Sequence, residues 1–187
     1  MERSEIEQLL AELNQGRRDL LESLAGVSEA AAVRSPGPGR WSVLEIVEHV
    51  AVVEDRLFAT ILASRAVDAP VVNEKRERLI PVRGRNRSFH LEAPEMVRPA
   101  GRYATLAAAT EAFLTARRRT LRYVEDCHHD LRARMTTHPL LGTVNCWENL
   151  LMMAMHPGRH AAQIREALLA IEADHPDAQA HRDQQKG

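Results

Sequence analysis

His156 and His160 stand four residues apart in the stretch HPGRHAAQI at 156–164. On a helix, residues i and i+4 lie one turn apart on the same face, with Cβ atoms roughly 5–6 Å from each other. Two imidazoles at that spacing can share one metal ion. They do not complete a site, so a third ligand has to come from elsewhere in the chain. The candidate is His49, on the apolar stripe Ile46, His49, Val50, Val53, Leu57, Ile61 of a predicted helix. Three neutral imidazoles hold a divalent metal and leave positions open for water or a substrate atom. That donor set suits Zn²⁺ or Ni²⁺, with Fe, Cu and Mn as alternatives, so the metal's identity stays open. Each part also has a plainer reading: many H-x-x-x-H pairs bind nothing, and a single His49 would serve as a hydrogen-bonded core residue.

Other reactive side chains are weaker candidates. His90, His128, His129, His138, His175 and His181 fall in predicted loops or the C-terminal tail and read as solvated. Cys146 lies at a predicted helix N-terminus, where a thiolate is stabilised, but no neighbouring residue supplies a base, which leaves it structural. Met152, Met153 and Met155 read as packing filler. Glu45, one turn before His49, fits a helix cap as well as a general base.

The elements that must position these residues are helical. The pattern predicts a first helix over about 5–25, opened by a Ser4/Glu7 capping box and closed at Gly26. SPGPG at 35–39 breaks the chain. A second helix runs from the Ser42/Glu45 capping box, with Trp41 as a staple on Ile46, to about Ala66. Residues 67–100 read as a long Pro- and Arg-rich connection, with a helical turn around 74–79 before Pro81. A third helix spans about 105–127, and 128–144 reads as a second connection without strand-like alternation. A fourth helix starts near Asn145 and runs through the histidine pair to about 173. On a helical wheel His156 lies about 120° from the centre of that helix's apolar stripe, so the pair sits at the stripe's edge, facing a groove. This is an all-α chain, a four-helix bundle with a long connection between its second and third helices. Residues 1–174 form its single domain and 175–187 a polar tail.

Composition narrows the function. Apolar residues make up 44% and aromatics only 4%, which favours helix over sheet. The two cysteines make no CxxC pair, which suits a reducing cytoplasm. No run approaches the ~18 apolar residues of a membrane span, and the charged N-terminus MERSEIEQ is unlike a signal peptide. The expectation is a cytoplasmic protein with no membrane partner. Residues 73–102 hold eight basic residues against four acidic ones in a chain of net charge −1. Without interleaved aromatics this reads as a solvated loop, and nucleic acid is a remote partner.

Three segments resemble the DinB-like superfamily, whose characterised relatives include bacillithiol- and mycothiol-dependent transferases. WSVLEIVEHVAVVEDR at 41–56 is similar to its second-helix segment. EAPEMVRPAGRY at 92–103 is similar to the lead into its third helix. HPLLGTVNCWENLLMMAMHPGRHAAQI at 138–164 is similar to its C-terminal half, with an H-x-x-x-H-x-x-Q-I signature. The resemblance implies a DinB-like bundle, often a homodimer, with His49, His156 and His160 as metal ligands. It further implies a metal-dependent enzyme in which a low-molecular-weight thiol or a water attacks a small-molecule substrate. The alternatives are a metal-dependent hydrolase and a non-catalytic dimeric bundle that binds metal or ligand. Pro157 and Gly158 depart from the polar helix formers of many relatives. An interior proline removes a backbone hydrogen bond to Met153 and crowds that carbonyl, at a cost of about 3 kcal/mol unless relieved. A kink or local widening is therefore expected near 153–157.

Overall fold

The structure, a computed structural model, describes residues 2–88 and 92–173. The long helices begin where short polar side chains take up backbone N–H groups that have no partner inside the helix. In α3 (Val43–Leu62), which follows α1 (Arg3–Ser23) and the short α2 (Glu29–Ala32), Ser42 Oγ accepts from the Glu45 N–H at 3.3 Å. The Glu45 carboxylate accepts from the Ser42 N–H at 2.7 Å, so the expected capping box is present. After α4 (Glu74–Gly84), Thr105 caps α5 (Leu106–Glu125) in the same way. Asn145 and Glu148 form a second reciprocal pair at the start of α6 (Cys146–Ala173), at 2.7 and 3.1 Å. At α1 the box sits two residues earlier than expected, with Glu5 accepting from the Glu2 N–H.

The four long helices α1, α3, α5 and α6 make the bundle, with α6 packed on both α1 and α3, and α5 on α3. Their inward faces bury Leu9, Leu13, Phe58, Leu150 and Met153 at one level and Leu20, Ile46, Val50, Phe113 and Ile164 at another. At about 25 cal/mol per Å², apolar burial of this kind is the main force holding the bundle together. No helix among the described residues is long and apolar enough to cross a membrane.

Two connections carry more structure than their sequences suggested. The 67–100 connection contains α4, which continues through Pro81 to Gly84. Beyond the proline it packs closely on α6, where a Cβ on Gly84 would come within 2.8 Å of Met155 Cβ. Several basic residues at 73–102 are held by partners instead of forming a solvated loop. Arg85 pairs with Glu12, Arg87 with Glu166, Arg98 with Glu92 and Arg102 with Glu48, while Arg76 reaches both Glu148 and the Thr143 carbonyl. The second connection holds a small antiparallel sheet in the order β1 (Arg65–Ala66), β2 (Arg134–His138), β3 (Gly142–Asn145). Met135 pairs with Asn145 and His138 with Gly142, so the hairpin runs straight into α6. Its strands are too short and polar for their alternation to stand out, although Thr136 and His138 share one buried face. The tail at 175–187 lies outside the described residues, as do His90, His175 and His181.

Pro157 lies within an unbroken α6. The Met153 carbonyl that it leaves without an N–H accepts instead from Arg117 of α5, at 2.8 Å. Arg117 is fully buried and forms a two-pronged bond with Glu54 of α3 at 2.7 and 2.8 Å, and it also donates to the Leu13 carbonyl of α1. Thr120 completes the partners of Glu54 at 2.9 Å. One guanidinium thus touches all four bundle helices. On the far side of the same turn, Gly16 of α1 lets the two backbones meet, because a Cβ there would stand 2.3 Å from the Ala154 carbonyl oxygen.

Removing one partner of a buried pair strands the other charge, at about 3–5 kcal/mol. Arg117→Met is therefore expected to lower the free energy of unfolding by about that much in urea titrations, because Glu54 and the Met153 carbonyl both lose their donor. Gly16→Ala is expected to destabilise as well, against the usual gain of up to ~1 kcal/mol for Gly→Ala in a helix interior. A stabilised Gly16→Ala variant would show that α1 and α6 do not meet this closely.

Candidate functional site

The apolar stripe of α3 carries His49 inward, and the histidine pair projects from the edge of α6's buried face. The two helices are neighbours, so the three rings come together. Their centroids are 5.1 Å apart for His49–His156, 4.8 Å for His49–His160 and 4.4 Å for His156–His160. One ligand atom from each lies within 4.8 Å of the others, a group that could hold a metal ion.

The hydrogen bonds of the rings decide which nitrogens face one another. His49 Nδ1 lies 2.7 Å from the Val97 carbonyl, which can only accept, so Nδ1 carries the proton and Nε2 keeps its lone pair. His160 Nδ1 meets Gln163 Oε1 at 2.8 Å, one turn along α6, with the same consequence. The Nε2 atoms of His160 and His156 are then 3.1 Å apart. Ligand nitrogens around a tetrahedral ion at 2.0–2.1 Å would be roughly 3.3 Å apart, so the donor set fits a small divalent cation. Metal-ligating histidines usually donate their other N–H to a carbonyl or similar acceptor, as His49 and His160 do here.

Burial keeps these imidazoles in the form a metal needs. His156 and His160 are pushed well below the ordinary histidine pKa, first by desolvation and then by neighbouring charge; for His156 that charge comes from the other two rings and Arg117. His49 is lowered by burial, against the opposing pull of the Val97 carbonyl. All three are neutral at pH 7 and offer lone pairs rather than protons.

The residues that hold His49 in place were not evident from sequence. Glu48, the buried residue beside it, accepts from the Ala100 and Arg102 backbone N–H groups at 2.7 and 3.1 Å and pairs with the Arg102 guanidinium. That anchors the segment whose Val97 carbonyl orients the ring. Trp41, expected to staple onto Ile46, has its ring 5.0 Å from His49. Glu45 is engaged in the helix cap. Cys146 is buried and its thiol raised by desolvation, in keeping with a structural role.

The three histidines border a cavity of about 1460 Å³ between α3, α4 and α6. His138, read from sequence as solvated, borders it too and is 95% buried. Its signal was weak: one alternation in a short strand, ahead of Pro139. Nδ1 accepts from the Leu140 N–H at 3.2 Å, so the neutral ring carries its proton on Nε2. Burial lowers its pKa from 6.5 to about 4.

A buried base that folds neutral stabilises the native state above its unfolded pKa and loses that contribution as pH falls through the window to the folded pKa. For His138 the window runs from 6.5 to about 4. At about 1.4 kcal/mol per unit this is roughly 3 kcal/mol. His138→Gln is expected to flatten the fall in stability across that window by roughly this amount, measured by urea unfolding at several pH values with chelator present. An unchanged pH slope would mean that the ring is solvated.

No curated protein matches this chain. Among solved structures it is similar to YfiT from Bacillus subtilis, described as "a probable metal-dependent hydrolase with an unusual four-helix bundle topology". The TM-score is 0.55 at 14% identity, covering 89% of this chain and 87% of that one. It also matches TT2238, described as a four-helix bundle protein, with a TM-score of 0.41 at 21% identity, covering 90% of this chain and 98% of the other. The family model of the DinB superfamily matches residues 12–164, a span that includes all three converging histidines, and the chain belongs to that superfamily.

Proposed function

We propose that this protein is a metal-dependent enzyme in which His49, His156 and His160 hold one divalent ion through their Nε2 atoms. The observation that carries this reading is the convergence of three neutral imidazoles, two of them oriented by hydrogen bonds, at the edge of a large cavity. An all-imidazole donor set favours Zn²⁺ or Ni²⁺. Once bound, the ion would supply the Lewis acidity that makes a thiol or water nucleophile available near neutral pH.

The chain's own residues bind and orient. Val97 and Gln163 fix two of the rings, and the cavity admits a small-molecule substrate to their open side. Among the described residues the carboxylates near the triad are already engaged: Glu45 in the helix cap, Glu166 with Arg87 at 2.8 and 2.9 Å, and Glu92 with Arg98 at 3.6 Å. This favours a thiol nucleophile, which gives up its proton more readily than water does. Metal-assisted hydrolysis, the chemistry named in YfiT's description, is the second reading.

Metal analysis of protein purified without a histidine tag tests the site. Wild type is expected to hold one ion per chain. His49→Ala and His160→Ala are expected to lose affinity by more than the ~10–100-fold typical of changes to groups that merely orient a ligand, and Gln163→Ala to fall within that range. Wild type without stoichiometric metal, or both histidine variants retaining it, would sink the assignment. Turnover of simple esters or amides without added thiol would select hydrolysis over thiol transfer.

A further inference from the structure

The cavity's charge and its fourth histidine point to what the substrate carries. Eight arginine and lysine side chains border the cavity against two carboxylates, Glu92 and Glu166, in a chain whose net charge is only −1. Both carboxylates are already paired, with Arg98 and Arg87. Four of the cations (Arg40, Arg56, Lys75 and Arg83) make no ion pair among the described residues. Among the described residues Arg56 bonds to Met96 Sδ, at 3.8 Å. The rest of the lining is largely apolar, with Trp41, Leu57, Leu79, Leu140 and Met152 among it.

His138 is the second, independent observation. It is 95% buried on the wall of this cavity, and the Leu140 N–H occupies its Nδ1. Its Nε2–H has no partner among the described residues. That nitrogen keeps some exposure on the cavity wall, so its N–H can donate to a group bound there. The Leu140 N–H bond at 3.2 Å orients the ring within the hairpin.

We propose that the cavity holds a subsite for an anionic oxygen group, such as a carboxylate or phosphate, on a substrate with an apolar body. His138 Nε2–H donates to that oxygen, and Arg56 and Arg83, from α3 and α4, supply the compensating charge. The proposal rests on the cavity being the place where substrate binds, but not on the metal.

Fluorescence titration of the metal-stripped protein tests it with two probes of one skeleton: 1-anilinonaphthalene-8-sulfonate, which is anionic, and N-phenyl-1-naphthylamine, which is neutral. The anionic probe is expected to bind at least tenfold more tightly, with an affinity that falls as salt is added. His138→Phe and the double variant Arg56→Gln/Arg83→Gln are each expected to weaken it about tenfold while leaving the neutral probe unchanged. His138→Gln keeps an N–H donor and is expected to restore most of the affinity, which a merely structural role for the ring would not do. Equal binding of the two probes by wild type overturns the proposal, as does undiminished binding of the anionic probe by either His138→Phe or the arginine double variant. Because chelator is present throughout, these outcomes are independent of whether the triad binds metal.

Discussion

The buried guanidinium of Arg117 is the interaction on which the rest of the site depends. Pro157 sits directly after His156 and deletes a helix hydrogen bond in the turn that carries it. Left alone, that turn would have an orphaned Met153 carbonyl in an apolar interior, where an unpaired polar group costs a few kcal/mol. Arg117 fills the vacancy from the neighbouring helix. Its charge is tolerable there only because Glu54 answers it with two bonds and Thr120 and Leu13 take up further polar valences. A buried ion pair is poor evidence for stability in itself. Here its value is positional: it fixes where α5, α3 and α1 stand relative to the turn of α6 that ends in His156.

The other half of the triad is held by a different device. His49 is aimed by the Val97 carbonyl, and Val97 belongs to the connection rather than to the bundle. That connection stays in place because Glu48 captures two of its backbone N–H groups and the Arg102 guanidinium. His49 and Glu48 are adjacent on α3, so one residue anchors the segment that orients the next. The arginines of residues 73–102 extend the same principle across the molecule, tying the segment to α1, α3 and α6.

The bundle and the histidine set were legible because they rest on periodicity and spacing. Capping boxes at Ser42 and Asn145, the apolar stripe through His49 and the i, i+4 pair on α6 are all local signals, and the structure keeps each of them. What escaped notice depends on contacts distant in sequence. Pro81 suggested the end of a helical turn and Pro157 a kink, since no local pattern shows that Gly84 meets Met155 or that Arg117 reaches Met153. His138 passed for a solvated residue because the strand that buries it is five residues long and polar. Arg76, Arg85, Arg87 and Arg102 passed for loop residues because their carboxylate partners lie on other helices, as far away in sequence as Glu12 and Glu166.

Charge links the triad to the cavity. Three imidazoles bring no negative charge, so a divalent ion bound to them would keep its full +2. Of the cations nearby, Arg117 acts on His156, and Arg87 and Arg159 act on His160, while the carboxylates of Glu54 and Glu166 offset part of the field of Arg117 and Arg87. In free protein this suppresses protonation of the rings and preserves their lone pairs. It also penalises a cation that arrives alone. At an effective dielectric of about 20, two unit charges ~8 Å apart interact by roughly 2 kcal/mol. The same field rewards an anion by a similar amount per cation. If the triad holds a divalent ion, an anionic ligand beside it would offset that field, so that metal and anion binding would reinforce each other.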